Sequence, residues 1–112
     1  MGCLCRLFVA PVLGAIVLLK GPLTAVAVPS GSSPDVLLSC AGVPALATAG
    51  TGDVLSGVIG AFLARGTPAH VAAALAAHVH GRAASRGRRE GLVAGDLPDL
   101  VAACLSEARR DG

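Results

Sequence analysis

The clearest chemical signal in this 112-residue sequence is a glycine-rich run that ends in an aspartate, Gly50-Thr51-Gly52-Asp53. An apolar-periodic segment follows without a break, which predicts a loop opening directly into a helix. The first backbone N–H groups of a helix are unpaired and lie at the positive end of its dipole, so such a turn binds anions. Gly50 and Gly52 also lack the Cβ atoms that would keep a phosphate away from the backbone. We therefore predict phosphate chemistry, with Asp53 placed to take a proton from a substrate hydroxyl.

The four residues alone leave a second interpretation open, because glycine turns before helices also occur as ordinary caps. Thr48 and Thr51 share this ambiguity. Their hydroxyls could contact a phosphate, or they could cap the loop locally. The sequence around the turn is needed to distinguish a phosphate-binding turn from an ordinary helix cap.

Apolar runs predict three strands, at residues 15–19, 24–28 and 36–39. The first run is uninterrupted, which is typical of a strand buried on both faces of a parallel sheet. The residues between the first two strands, Lys20-Gly21-Pro22-Leu23, predict a turn. We expect one sheet edge and one apolar face to stay exposed, and hence marginal stability, aggregation or dependence on another polypeptide.

Three helices are predicted after the glycine turn, at about residues 53–65, 68–85 and 96–108. In the first, Val54, Val58 and Phe62 recur four residues apart and form an apolar face. Thr67 is the expected N-cap of the second helix, with Pro68 in its first turn. Alanine, valine, leucine and glycine dominate the sequence, a mixture that suits helices packed closely against a sheet.

Composition fits a single small domain, with 54% hydrophobic residues and a net charge of +2, too small to indicate a partner. The four cysteines lack zinc-site spacing, so we expect reduced, mostly buried thiols and a cytoplasmic protein. The N-terminus resembles a secretory signal up to Ala27, but Pro11 and Gly14 interrupt it and Lys20 precedes the supposed cleavage site. Export therefore remains the less favoured alternative.

Histidine and arginine residues follow the first helix. His78 and His80 are two positions apart and point to different sides of a helix, which disfavours a shared metal and favours a packed or capping role for His80. The arginines of residues 82–89 form either a solvated loop or a patch that steers an anionic ligand toward the site. Because no aromatic residues alternate with them, nucleic-acid binding is not expected.

Residues 42–66 resemble the signature of the ribokinase-like superfamily and, within it, the NAD(P)H-hydrate dehydratases most of all. The resemblance extends over about residues 14–105 and implies the C-terminal part of a three-layer α/β/α fold that is incomplete in this chain. The implied division is an atypical segment at 1–13, a nucleotide-binding part at 14–108 and a tail at 109–112. Pro11 is expected to break the helix that the family has near its position. A truncated or misassigned start is a serious possibility.

The resemblance also implies an activity, namely nucleotide-dependent dehydration of the S form of hydrated NAD(P)H back to NAD(P)H. ADP, or ATP in some members, would be the phosphoryl donor together with Mg²⁺, and ADP would become AMP and phosphate. Asp53 would be the catalytic base and contact the substrate. The nucleotide-binding residues implied are Lys20, Gly21, Pro22, Leu23, Thr24, Gly50, Thr51 and Gly52.

Two alternatives remain beside this activity. One is a small-alcohol or vitamin-precursor kinase of the same superfamily, which would share the glycine turn and the aspartate. The other is an inactive truncated remnant. The expected partners are hydrated NADH or NADPH and an adenine nucleotide, with neither nucleic acid nor membrane, and the complete family enzyme is expected to be a homo-oligomer.

Overall fold

Three short strands form one antiparallel sheet in the computed structural model, which describes residues 10–29 and 36–112. The strands are β1 (Val17–Leu19), β2 (Thr24–Ala27) and β3 (Val36–Ser39), in the order β1-β2-β3. Both pairings are antiparallel, with Val17 opposite Ala27 and Thr24 opposite Ser39. The expected parallel pairing is therefore wrong for these strands. The turn between β1 and β2 has only four residues, whereas a parallel crossover needs a dozen or more.

Three longer helices follow the sheet: α2 (Thr51–Ala64), α3 (Ala69–Arg86) and α4 (Leu97–Asp111). They correspond to the three predicted helices. Helix α2 begins two residues earlier than expected, and α4 continues three residues further. Pro68 rather than Thr67 is the N-cap of α3. Two short 3-10 helices, Pro44–Ala47 and Ala94–Asp96, lead into α2 and α4.

The sheet lies between two helical layers. Leu18 of β1 packs with Leu55 of α2 and Ala76 of α3. Val17 and Leu19 point to the opposite face, as alternation along a strand requires, and pack with Ala10. Ala10 belongs to a one-turn helix, α1 (Ala10–Leu13). The described residues thus have the α/β/α layering of the expected fold, and they contribute a single helical turn to one of the layers.

Helix α1 contains Pro11 at its second position. The expectation that Pro11 would break a helix here is wrong, because proline is tolerated in a first turn, where the missing N–H would have no acceptor. Residues 1–9, including the start of the signal-like segment and both Cys3 and Cys5, lie outside the described residues.

Helix α3 is central because small side chains let its neighbours approach closely. It packs against β2 and β3 on one side and against α2 and α4 on the others. Most of its buried residues are alanines. At Gly81 an added Cβ would overlap the backbone of Ala41, so this contact requires glycine.

The exposed apolar surface expected from the sequence is partly present. Leu38 of β3, on the sheet face that α1 covers, is 57% exposed.

Cys40 is exposed and Cys104 is half-buried, both as free thiols, so the expectation of buried cysteines is wrong for Cys40. No helix among the described residues is long and apolar enough to cross a membrane.

Candidate functional site

The predicted glycine turn forms the start of α2. Gly50 is the N-cap residue and has φ +86° and ψ −10°, in the left-handed region that favours glycine. A Cβ at Gly50 would also lie 3.1 Å from the Cβ of Ala94. The Gly50 carbonyl accepts hydrogen bonds from the backbone N–H groups of Asp53, at 3.2 Å, and Val54, at 3.4 Å. Backbone conformation and close packing both explain the glycine.

The outer side of this turn is open. Gly52 and Asp53 are exposed, and an added Cβ on Gly52 would meet no atom within 4 Å. The N-cap residue Gly50 has no side chain that could cap the start of α2. A helix start with this form leaves room for an anion beside the first-turn N–H groups, at the positive end of the helix dipole. The Asp53 carboxylate lies in the same first turn.

The Thr51 side chain points inward and connects three segments of the chain. Its residue is 1% exposed. The hydroxyl accepts a hydrogen bond from Lys20 Nζ at 2.6 Å, and the carbonyl oxygens of Leu46, at 2.7 Å, and Thr48, at 3.0 Å, are both within reach of its one proton. The hydroxyl is therefore occupied within the chain, and the Thr51 backbone N–H donates to the Thr48 carbonyl oxygen at 3.4 Å.

The Lys20 ammonium has two acceptors among the described residues. Besides Thr51 Oγ1, Lys20 Nζ donates to the carbonyl oxygen of Leu46 at 2.9 Å. An ammonium has three donors, so one is left for a ligand. Lys20 also lines a cavity of about 330 Å³, together with Gly21, Pro22, Gly42, Val43, Pro44, Leu46 and Ala47. Of the predicted turn residues, Lys20, Gly21 and Pro22 thus share one cavity.

Two other predicted nucleotide-binding residues, Leu23 and Thr24, do not line this cavity. Thr24 is buried in β2, and its hydroxyl donates to the Gly21 carbonyl oxygen at 3.3 Å, so it closes the turn. Leu23 is half exposed and is not among the residues that line the cavity. Thr48, which had two interpretations, donates its hydroxyl to the Ala45 carbonyl at 2.9 Å. That contact is a local cap.

His80 of α3 contacts the same turn from its buried side. It is 2% exposed, and its Nε2 lies 3.0 Å from the carbonyl oxygen of Thr51. Burial lowers the pKa of His80 below the usual 6.5, and the charge of Lys20 lowers it further, while the hydrogen bond to Thr51 acts against both. A neutral ring that donates from Nε2 fits this environment. The expected packed or capping role of His80 is confirmed.

The sequence did not reveal which groups hold the turn. Lys20 was expected to contact a nucleotide, and its link to the Leu46 carbonyl was missed because a backbone acceptor leaves no mark in the sequence. The contact of His80 with Thr51 was also missed. Its only signal was a histidine directly before a glycine in a helix of small residues.

The arginine cluster is partly engaged on the surface. Arg86 of α3 forms a 2.6 Å ion pair with Glu107 of α4. Arg88 lies 3.8 Å from Asp96. The described residues hold no group of three or more His, Cys, Asp or Glu side chains that could bind a metal ion.

Comparison with known proteins identifies the family to which this arrangement belongs. The family model described as NAD(P)H-hydrate dehydratase matches residues 4–106. The chain belongs to the NAD(P)H-hydrate dehydratase family. The match begins ten residues before Gly14, where the resemblance was expected to start.

Curated members of the dehydratase family are similar over most of this chain. The bifunctional NAD(P)H-hydrate repair enzyme Nnr of Mycobacterium leprae is 48% identical over 96 residues, which are 86% of this chain and 20% of the relative. The ADP-dependent (S)-NAD(P)H-hydrate dehydratase of Neisseria meningitidis is 43% identical over 94 residues, which are 80% of this chain and 31% of the relative. The chain thus spans a third or less of these relatives.

A solved dehydratase has the same fold over this region. The ADP/ATP-dependent NAD(P)H-hydrate dehydratase of Bacillus subtilis, co-crystallised with ATP and Mg²⁺, superposes with a TM-score of 0.77 at 30% identity. The superposition covers 88% of this chain and 36% of the Bacillus protein. The described elements therefore form part of the ribokinase-like dehydratase fold.

Proposed function

We propose that this chain carries the nucleotide-binding part of an ADP-dependent (S)-NAD(P)H-hydrate dehydratase. The observation that supports this function most strongly is the glycine turn at the start of α2, with an open outer side and an exposed aspartate in the first helical turn. Membership of the dehydratase family supplies the reaction, which restores NAD(P)H from the S form of its hydrate.

Phosphate oxygens of the nucleotide would bind at the backbone N–H groups of Gly50, Thr51 and Gly52. The N-cap residue Gly50 has no side chain to cap them, and the dipole of α2 favours negative charge there. The Thr51 N–H makes a long hydrogen bond, 3.4 Å, to the Thr48 carbonyl, which a phosphate oxygen would share or replace. The free donor of Lys20 would add a charge-assisted hydrogen bond. The cavity beside Lys20, Gly21 and Pro22 is the proposed seat of the rest of the nucleotide, with Leu23 and Thr24 completing the turn.

Asp53 would act as the general base. Transfer of a phosphoryl group from ADP would convert ADP to AMP and turn the substrate hydroxyl into a leaving group, and elimination from the substrate would then release phosphate. The Asp53 carboxylate would accept the proton of that hydroxyl, while the first-turn N–H groups stabilise charge on the phosphate during transfer. The carboxylate and these N–H groups share one helical turn, as this division of roles requires.

A Mg²⁺ ion would accompany the nucleotide. Mg²⁺ is commonly bound through substrate phosphates and one or two carboxylates rather than by a dedicated protein cage. The phosphates bound at the open first turn of α2 would supply those ligands, so this mode needs no carboxylate cluster in the described residues. The ion would neutralise phosphate charge.

The remaining proposals follow from the family. The substrate would be hydrated NADH or NADPH, the compartment the cytoplasm, and the assembly of the whole enzyme a homo-oligomer. The chain spans 31% of the Neisseria relative, and turnover by these residues alone would require more of the site than nucleotide binding does. The two therefore need separate measurements.

The first test is a thermal melt with and without ADP and Mg²⁺. ADP at about a hundred times its dissociation constant should raise the free energy of unfolding by about 2.7 kcal/mol if the site is formed. AMP serves as the control, because it lacks the phosphoryl group to be transferred. A cooperative melt that ADP does not shift would contradict nucleotide binding.

The second test measures turnover with (S)-NADHX, ADP and Mg²⁺, following the return of NADH and the appearance of AMP. NADH formation that depends on ADP would support the dehydratase. Phosphorylation of a small alcohol, with no NADH formed, would favour the kinase alternative. ADP binding without either reaction would leave the chain as a nucleotide-binding remnant.

A further inference from the structure

We propose that His80 is a positioning residue that aims the Gly52 N–H at the bound anion through its hydrogen bond to the Thr51 carbonyl. The nucleotide readout of this proposal depends on the function proposed above, whereas its spectroscopic readout does not. His80 does not touch the substrate or nucleotide in this arrangement, since it is 2% exposed on α3, beneath the turn.

One peptide unit connects His80 with the open side of the glycine turn. The carbonyl of Thr51 and the N–H of Gly52 belong to the same planar group, and in a trans peptide they point in opposite directions. His80 Nε2 lies 3.0 Å from that carbonyl on the buried side. The same carbonyl takes part in the hydrogen-bond ladder of α2, in which residue i accepts from residue i+4. The contact with His80 adds a second restraint on the plane, which keeps the Gly52 N–H directed away from the buried side. A polarised carbonyl also strengthens the N–H as a donor.

A second contact holds the same residue against rotation. Lys20 Nζ donates to Thr51 Oγ1 at 2.6 Å, while His80 holds the Thr51 backbone. The two side chains come from the turn after β1 and from α3, which are far apart in sequence. Thr51 is thus fixed at its hydroxyl and its carbonyl by different elements, before any ligand arrives.

Close packing explains why a histidine on α3 can reach this carbonyl. The next residue, Gly81, lies so near Ala41 that an added Cβ would overlap the Ala41 backbone. Helix α3 therefore packs in close contact with the loop that leads to the glycine turn. The burial of the His80 ring and the nearby charge of Lys20 both favour the neutral form, in which only one ring nitrogen donates.

The test compares three variants of the full chain. His80→Leu replaces the imidazole with an apolar side chain that has no donor, and His80→Gln restores an N–H donor. His78→Leu, the control, changes an exposed histidine two positions away. The first readout, taken without ligand, is the amide ¹⁵N and ¹H chemical shift of Gly52. We expect it to move in His80→Leu, to return toward wild type in His80→Gln, and to stay unchanged in His78→Leu.

The second readout is the dissociation constant of ADP. Loss of one aimed hydrogen bond should raise it about fivefold to tenfold in His80→Leu, with recovery in His80→Gln. If wild type binds no ADP but the Gly52 shift responds as expected, the proposed function fails and the positioning role stands. If ADP binds and neither its dissociation constant nor the Gly52 shift changes in folded His80→Leu, the positioning role is overturned.

A third measurement covers the case in which His80→Leu does not fold. Imidazole ¹⁵N spectra of wild type report which ring nitrogen carries the proton. We expect a neutral ring protonated at Nε2, as the contact with Thr51 requires. A ring protonated only at Nδ1 would overturn the proposal without any variant.

Discussion

Lys20 and Thr51 are joined by a 2.6 Å hydrogen bond between the ammonium and the threonine hydroxyl, across thirty-one positions of sequence. The bond ties the turn after β1 to the first residue of α2. Lys20 also donates to the Leu46 carbonyl at 2.9 Å, so one side chain secures both the loop before the glycine turn and the turn itself. Lys20 therefore contributes to the fold of the site as well as to the charge available for an anion.

Replacing Lys20 with methionine should weaken both the fold and nucleotide binding. Methionine keeps the unbranched apolar stem but donates no hydrogen bond, which leaves the Thr51 hydroxyl and the Leu46 carbonyl with one partner fewer. We expect the free energy of unfolding to fall by about 1–2 kcal/mol. Chemical denaturation of Lys20→Met measures it, with Arg65→Met as the exposed-cation control. Equal losses in both variants would contradict a specific tether.

Local patterns predicted the helices well because each helix is encoded in neighbouring residues. The spacing of Val54, Val58 and Phe62 located α2 to within two residues at its start. Gly50 and Asp53 were likewise recognisable, since a left-handed N-cap and a first-turn acid are local features. The family followed from the same residues and is confirmed by the match over 4–106.

The sequence was a poor guide wherever direction or distant contact decided the structure. The uninterrupted apolar run at β1 favoured a strand of a parallel sheet, but an apolar run does not fix the direction of the neighbouring strand. The four-residue turn after β1 decides it, because a turn of that length can join only antiparallel strands. The inward direction of Thr51 depends on Lys20 and Leu46, which meet it only in the folded chain. No pattern near Thr51 carries that information.

Two glycines in the helices should respond oppositely to alanine. A Cβ at Gly60 of α2 would meet no atom within 4 Å, whereas one at Gly81 of α3 would overlap Ala41. Gly60→Ala should raise the free energy of unfolding by about 0.5–1 kcal/mol through helix propensity. Gly81→Ala should lower it by about 1–3 kcal/mol through overpacking. Melts of the two variants check this, and destabilisation by Gly60→Ala would indicate that another surface packs on α2.

The stability of the chain should fall as the solution becomes acidic, in part through His80. Its pKa in the folded state is lowered by burial and by Lys20, so the unfolded chain takes up the proton first as the pH drops below 6.5. Proton uptake by the unfolded state lowers the free energy of unfolding until the pH reaches the folded-state pKa. Unfolding measured from neutral pH down to about pH 5 should show a shallower decline for His80→Gln. An identical decline in both proteins would show that His80 does not contribute.

Asp53→Asn should separate catalysis from nucleotide binding. Asparagine keeps the size of the side chain at an exposed position of the first turn of α2, but it cannot accept the hydroxyl proton as a base. If the chain turns over (S)-NADHX, the variant should lose that activity by at least about a hundredfold. Its melt should still shift upward with ADP, because the N–H groups of Gly50, Thr51 and Gly52 are unchanged. Ser56→Ala, one helical turn further along α2, is the matched control. The exposed Ser56 hydroxyl donates to the Gly52 carbonyl at 3.0 Å, and the variant should keep full turnover. Equal activity in Asp53→Asn and wild type would remove Asp53 from the mechanism, whereas loss of ADP binding in the same variant would make it a ligand-binding residue.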